Sequence, residues 1–423
     1  MFSALVAVFS IECSFGQTKP VAIVNARVEI GDGKVIPSGV VVIQDGKIVS
    51  VSEMPGNTAG DDIVDAKGKT LYPGFIDGYS TRGLKLPDAP SSGSAPDTLN
   101  TAPPTMWHGN RKGIRFDVVA SKCLDLADQL KDNYAQGITT ALLSSGAGTI
   151  RGIASIVTYT DKGDVLIPAE AAEIAVRGGG FGGGGGGGYP GSLLGIIAFA
   201  RQILIDAQQY AQFPPEKKDD GFENLKPLMT KQIPALFNAD TDRDIVRCGH
   251  LADEFGFKAM FCMARDGYKQ IDVLKAHGAA VMASIDLGDE PSVKPPDNPT
   301  SDSAPPEVLA ETHQTWVDRS QNVSKLLAAG IPVAFSSTGA SLGDFLKNVR
   351  KLIAAGVSRQ DALKCLTSGA ATILGVADKV GTIEAGKQAN LVLMTGDFAD
   401  ANSEVDSVFV EGKAIQVKKE AGK

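Results

Sequence analysis

A chain whose two ends read as short β-strands and whose middle alternates strand with helix has few folds open to it. From Pro20 to about Leu71, the segments VAIVNARVEI, SGVVVIQDGKIVSVS and DDIVDAKGKTLY alternate Val and Ile with polar residues, the period of a half-buried strand. Turns at Gly31-Asp32-Gly33 and Asp45-Gly46 punctuate them. The pattern returns in VGTIEAGKQANLVLMTG and SEVDSVFVEGKAIQV, so residues 20–71 plus 379–418 are expected to form one small β-domain. Between them, residues 72–378 carry the apolar runs GITTALLSS, IPALFNAD, FKAMFCM, AAVMASIDL and IPVAFSST. The stretches VVASKCLDLADQLKDNYAQ, DIVRCGHLADEFG, YKQIDVLKAHG and NVSKLLAAG read as helices among them. Repeated strand–helix units bury a parallel sheet on both faces, and this many favour closure into a barrel. The expected fold class is α/β: a TIM-like (β/α)8 barrel with a small β-sandwich domain built from both chain ends.

The chain has material for such a core, with 43% apolar and 21% charged residues over 423 positions, which excludes global disorder. Lys and Arg number 41 against 49 Asp and Glu, a net charge of −8. That balance supplies no basic surface for nucleic acid or an anionic bilayer. Residues 1–16 read as a leader, with the apolar run MFSALVAVF and small residues Ser14 and Gly16 at the −3 and −1 positions of a cleavage site. The run is shorter than the roughly 20 residues that span a bilayer. Glu12 before Cys13 argues against lipid attachment. Export to the periplasm or beyond is expected, with no membrane span. Cys123, Cys248, Cys262 and Cys365 form no CxxC pair; disulfides and buried thiols both remain open.

Three biased stretches interrupt the middle: Lys85–Asn110, Arg177–Ser192 and Asp289–Pro306. The second holds a glycine-rich loop, 178–188, without the Gly-Lys-Ser/Thr ending of a phosphate-binding loop. It reads as a solvated loop, with a partner-binding arm as the competing reading. Beyond it, YPGSLLGIIAFARQILIDAQQY repeats apolar residues at helical spacing.

Specific motifs extend the pattern. IQDGKIVSVS, IVDAKGKTLYPGFIDG and ATILGVADKVGTIEAGKQANLVLM resemble the sandwich strands, the entry to the first barrel strand and the return strand of the amidohydrolase superfamily. GITTALLSSGAGTIRG and DIVRCGHLADEFGFKAMF resemble barrel segments of its exported, imidazolonepropionase-like members. The resemblance implies a metal-dependent hydrolase on a distorted TIM barrel. Its ligands would be His-x-His after PGFID, histidines on the fifth and sixth strands, and an aspartate on the eighth.

The sequence departs from that pattern at each position. Tyr79 and Thr81 stand where the paired histidines are implied, Asn238 at the fifth strand, Arg265 nearest the sixth, and Ser337 or Thr338 at the eighth. Phenol and hydroxyl groups lack the basicity of imidazole toward Zn²⁺, and a hydroxyl does not take a proton from metal-bound water as a carboxylate does. The four histidines of the chain, His108, His250, His277 and His313, fall on helical or loop stretches rather than at strand ends. Other groups expected at the barrel mouth are Asp77, Asp286, Ser144 and Ser145. Asp240, Asp242 and Asp244 form an acidic cluster suited either to a hard cation or to capping the next helix, with capping favoured. The reading is therefore a degenerate metal site, no resident cofactor, and a structural, regulatory or ligand-binding subunit. Assembly as a homo-oligomer or with a catalytically intact paralogue is compatible with it. The alternative is a Zn-dependent hydrolase of amide or cyclic-amide C–N bonds using atypical ligands.

Overall fold

The computed structural model describes residues 19–88, 114–176, 192–295 and 303–417, apart from residues 55, 57, 59 and 217. The expected leader, the glycine-rich loop 178–188 and His108 lie outside the described residues.

The chain opens with β1 (Val21–Glu29), β2 (Val35–Gln44), β3 (Lys47–Glu53), β4 (Asp62–Asp65) and β5 (Thr70–Pro73), and closes with β14 (Leu391–Met394), β15 (Val405–Val410) and β16 (Lys413–Gln416). These eight strands form one sheet in the order β16-β15-β14-β5-β1-β2-β3, with β4 alongside β1. Sequence-distant ends meet where β5 pairs antiparallel with β14, Leu71 opposite Leu393. Their apolar residues, among them Ile23, Val41, Leu71, Leu391 and Phe409, share one core. Arg359 ties this sheet to the helical layer, bonding Glu29 at 2.9 Å and Asp397 at 2.6 Å.

The second sheet is the barrel: β6 (Phe75–Ser80), β7 (Ile138–Leu143), β8 (Ile150–Thr158), β9 (Asp164–Ala175), β10 (Ala235–Ala239), β11 (Ala259–Met263), β12 (Ala280–Ser284) and β13 (Val333–Ser336), neighbouring one another in chain order. Around it lie α1 (Ala127–Ala135), α2 (Leu193–Gln212), α3 (Asp220–Met229), α4 (Asp242–Phe255), α5 (Ile271–Ala276), α6 (Pro306–Ser320), α7 (Asn322–Ala328), α8 (Phe345–Ala354), α9 (Arg359–Leu366) and α10 (Ser368–Ile373). The expected α/β barrel with a companion sheet is what the chain forms. The pairing is not wholly parallel, however. β8 runs antiparallel to both β7 and β9, because a direct hairpin replaces a helical crossover there. The helix expected over VVASKCLDLADQLKDNYAQ is also shorter, starting at Ala127. The preceding backbone instead bridges to β8, Val119 to Ile153.

Helix ends follow local chemistry. The Ser192 side chain caps α2 by accepting from Gly195 N, and Thr241 caps α4 by accepting from Asp244 N. Gly256, at φ 65°, ends α4 in the left-handed conformation that costs glycine least.

The barrel interior is filled by Ile76, Tyr79, Leu142, Ala154, Ile156, Ala171, Leu236, Cys262, Met282 and Ala334, with Ala370, Ala371 and Leu374 of α10 packed against them. It is a packed core rather than a pore. Among the described residues no backbone ladder joins β13 to β6, so this is the seam where the sheet closes on itself. Gly78 makes the approach feasible. A Cβ there would lie 2.9 Å from Ala334 Cβ and 3.0 Å from Phe335 O, contacts that only a residue without a side chain avoids.

Candidate functional site

Side chains from five strand ends meet at the barrel mouth. Glu173 of β9 is fully buried and is the acceptor around which the others gather. Its Oε1 receives the Tyr79 hydroxyl at 2.7 Å, Arg151 Nη1 at 3.0 Å and Asn238 Nδ2 at 3.3 Å. Its Oε2 receives the Ser144 hydroxyl. Asn238 Nδ2 also reaches the Tyr79 oxygen at 3.3 Å, and Arg151 Nε donates to Gly148 O at 3.0 Å. Four donors, one of them a full counter-charge, therefore satisfy a carboxylate that burial alone would disfavour.

The electrostatics follow. Burial, reinforced by the Glu173 charge, pushes the Tyr79 phenol well above its usual range and keeps it protonated as a donor. Burial opposes the charge on Arg151, but the Glu173 carboxylate outweighs it and holds the guanidinium more firmly charged. The neighbouring Cys262 thiol is pushed up by burial and then by Glu173, so it is no nucleophile.

A second buried group closes the seam. Asp77 Oδ1 accepts from Ser337 N at 2.9 Å and Tyr79 N at 3.3 Å, while Oδ2 accepts the Ser337 hydroxyl at 2.5 Å. Ser336 and Thr338 each donate a hydroxyl to Tyr79 O, at 2.7 and 3.0 Å. Side chains thus supply the bonds that the missing ladder would have made. Burial raises the Asp77 carboxyl to about 6, against the opposing pull of the Ser337 bonds.

The residues singled out from sequence divide accordingly. Tyr79 and Asn238 converge on Glu173, with Ser144 beside them. Thr338 faces the Tyr79 carbonyl. Thr81 lies beyond β6 against Gly146, where a Cβ would meet it at 2.5 Å. The Ser145 hydroxyl turns to Arg151 O. Arg265 leaves the cluster for Asp240, bonding it in a fork at 2.9 and 2.5 Å.

That fork dissolves the acidic cluster as a ligand set. Asp240 serves Arg265, whereas Asp244 accepts from Arg247 at 2.9 Å and from the Thr241 hydroxyl at 2.7 Å. Asp242 and Asp244 occupy the first turn of α4, favourable to its dipole, but the cap is Thr241. Among the described residues no three His, Cys, Asp or Glu side chains are placed to hold a metal ion. His250 lies within α4, His277 caps α5, and His313 of α6 bonds Glu290 at 2.9 Å.

Arg151 and Glu173 were missed in sequence. Each lies in a segment whose composition hides a strand, Glu173 within AEAAEIA and Arg151 at the head of RGIAS. The signal available was a glutamate among alanines in a strand-length run, with Ala171 and Ala175 two residues to either side on its own face.

The comparisons agree with this architecture. The model of the Amidohydrolase family matches residues 105–415. Among solved structures, an amidohydrolase from Thermotoga maritima MSB8 superposes with a TM-score of 0.72 at 22% identity, covering 93% of this chain and 99% of that one. A Xaa-Pro dipeptidase with bound methionine gives 0.57 at 15% identity, over 94% and 100%. An adenosine deaminase from Xanthomonas campestris with bound zinc gives 0.51 at 15%, over 95% and 94%. In sequence, a 5'-deoxyadenosine deaminase of Methanococcoides burtonii is 45% identical over 51 residues, which is 12% of this chain and 12% of that enzyme.

Proposed function

The chain belongs to the amidohydrolase family, and from that premise we propose that its barrel has given up metal-dependent hydrolysis for a structural, regulatory or ligand-binding role. The observation that carries this reading is the Arg151–Glu173 pair at 3.0 Å in the buried mouth of the barrel. A guanidinium already provides the cation that a carboxylate at this place would otherwise share with a metal. The rest of the donor set does not fit a divalent ion. The Tyr79 hydroxyl, Asn238 amide and Ser144 hydroxyl all direct hydrogens into Glu173, so each presents a proton where a ligand must present a lone pair.

Metal analysis of the purified, untagged protein tests the reading: well under one equivalent of Zn, Fe, Mn or Ni is expected. A stoichiometric transition metal, lost on substitution of Tyr79 or Asn238, would overturn it. The second reading is a hydrolase of amide or cyclic-amide C–N bonds with Tyr79, Asn238, Asp240 and Thr338 as atypical ligands. It draws on the short match to the deaminase, and the same measurement decides between the two.

We further place the chain with the exported, imidazolonepropionase-like members, on the strength of GITTALLSSGAGTIRG and DIVRCGHLADEFGFKAMF. Amino-terminal sequencing of protein recovered outside the cytoplasm should begin at Gln17. Co-purification of a second copy or of an intact paralogue would identify the assembly it serves.

A further inference from the structure

Beside the buried mouth, at the ends of β11 and β12 and under α6, lies a cleft of about 370 Å³. It shares no residue with the Glu173 cluster and is chemically unlike it. Two arginines line it, each held from behind by its own aspartate. Arg265 offers Nε and Nη2 to Asp240, and Arg319 offers Nε at 2.8 Å and Nη2 at 3.2 Å to Asp266. Side-on forks of this kind fix the plane of a guanidinium, and among the described residues neither Nη1 makes a hydrogen bond. Two carboxylates, Asp286 and Glu311, line the same cleft. Asp286 Oδ1 is occupied by Gly288 N at 3.1 Å, and no ion pair within the described residues engages either carboxylate. The Trp316 indole is locked by its N–H bond to Leu287 O at 2.7 Å, while Leu287 and Val323 complete an apolar wall.

The hydroxyls present do not compete for a ligand. Thr312 and Thr315 each donate to a carbonyl of their own helix, at 2.7 and 2.9 Å. The recognition chemistry left is two preset guanidinium ends, two carboxylates, and an aromatic face with apolar neighbours. Two guanidinium ends and two carboxylates in one small cleft give a ligand places for both an anionic and a cationic group.

We propose that this cleft is a binding site for a small zwitterion of the amino-acid or dipeptide class. The ligand carboxylate lies on Arg265 and Arg319, its ammonium on the Asp286, Glu311 and Trp316 side, and an apolar side chain against Leu287 and Val323. The volume is at the small end of ligand pockets, which suits one or two residues rather than a longer peptide. This inference goes beyond the non-catalytic reading of the barrel and does not depend on it.

Calorimetric titration of the full chain with L-leucine and L-leucyl-L-leucine at low ionic strength tests the site. At least one is expected to bind, more weakly as salt is added. Removing either charge, with N-acetyl-L-leucine or L-leucinamide, is expected to weaken binding about tenfold or more. Glu311→Gln, a change at an exposed position, should weaken the zwitterion similarly, whereas binding of the anionic N-acetyl-L-leucine should hold or tighten as a like charge is removed. Arg319→Lys should weaken every ligand that carries a carboxylate. Failure of both zwitterions to bind at millimolar concentration overturns the proposal. So does equal binding of leucine, its acetyl derivative and its amide, or unchanged leucine affinity in E311Q. Metal content bears on none of these outcomes, so the two readings fail separately.

Discussion

Arg151 Nη1 lies 3.0 Å from Glu173 Oε1, with the glutamate fully buried and the arginine nearly so. A pair of this kind is asymmetric in its energetics. Its net contribution is modest because both ions lose water, yet removing one partner strands the other.

Arg151→Met is therefore expected to cost about 3–5 kcal/mol, since Glu173 is left charged and unneutralised in the core. Adding Glu173→Gln to that variant should recover a large part of the loss. Urea unfolding of the two single variants and the double variant measures the coupling. A single-variant cost below about 1 kcal/mol, the range of exposed pairs, would sink the account of this site.

Asp77 makes a pH prediction. Its carboxyl titrates at about 6 in the folded protein against an ordinary 3.8, with burial the largest cause. A raised folded pKa means that the native state holds this proton more tightly than the unfolded chain does. Its contribution to stability is complete below about pH 4 and is lost as pH rises through 6. Between those values the wild type should lose on the order of 3 kcal/mol relative to Asp77→Asn. Parallel stability–pH curves for the two proteins would refute it.

Gly78→Ala places a methyl group 2.9 Å from Ala334 Cβ at the seam between β6 and β13. Overpacking of this kind should cost about 1–3 kcal/mol. Thermal unfolding reads it, with Gly343→Ala, whose Cβ would meet nothing nearer than Ser341 Oγ at 3.8 Å, as a comparison for loss of glycine at an open position. If both variants melt alike, the seam is not tightly closed.

Chelation gives a further test of the buried pair as the cation of the mouth. Prolonged dialysis against a chelator should leave the melting temperature unchanged. A metal saturating a native site at a hundred times its Kd contributes about 2.7 kcal/mol, which its removal would turn into a clear fall in melting temperature. Such a fall, restored by Zn²⁺, would favour the hydrolase reading.

The barrel and its companion sheet were legible because their residues obey simple periods. Val and Ile alternate along β1 and β2, and the apolar runs of β10 to β13 are separated by helices of 3.6-residue period. The hairpin β8–β9 was not legible. IRGIASIVT is buried at every position, and DVLIPAEAAEIA carries helix-favouring Ala and Glu into a strand. With it went the two residues at the centre of the site. Tyr79 and Asn238 were found because their places in the chain are fixed by the PGFID segment and the fifth strand. Their common partner came from elsewhere, and only the three-dimensional arrangement joins them. The acidic run at 240–244, read chiefly as favouring the start of the next helix, divides in three dimensions: Asp242 and Asp244 lie in the first turn of α4, and Asp240 and Asp244 go to different arginines.

The seam bears on the order in which this molecule assembles. Asp77 and Ser337 are separated by 260 positions, whereas β8 and β9 meet across a short turn. Contacts between distant parts of a chain must await the loss of entropy that closes the intervening loop. The hairpin is thus poised to form early and the Asp77–Ser337 latch late. Weakening the latch should then speed unfolding while leaving the rate of folding almost untouched. The lifetime of the native barrel rests on a few side-chain hydrogen bonds between its first strand and its last.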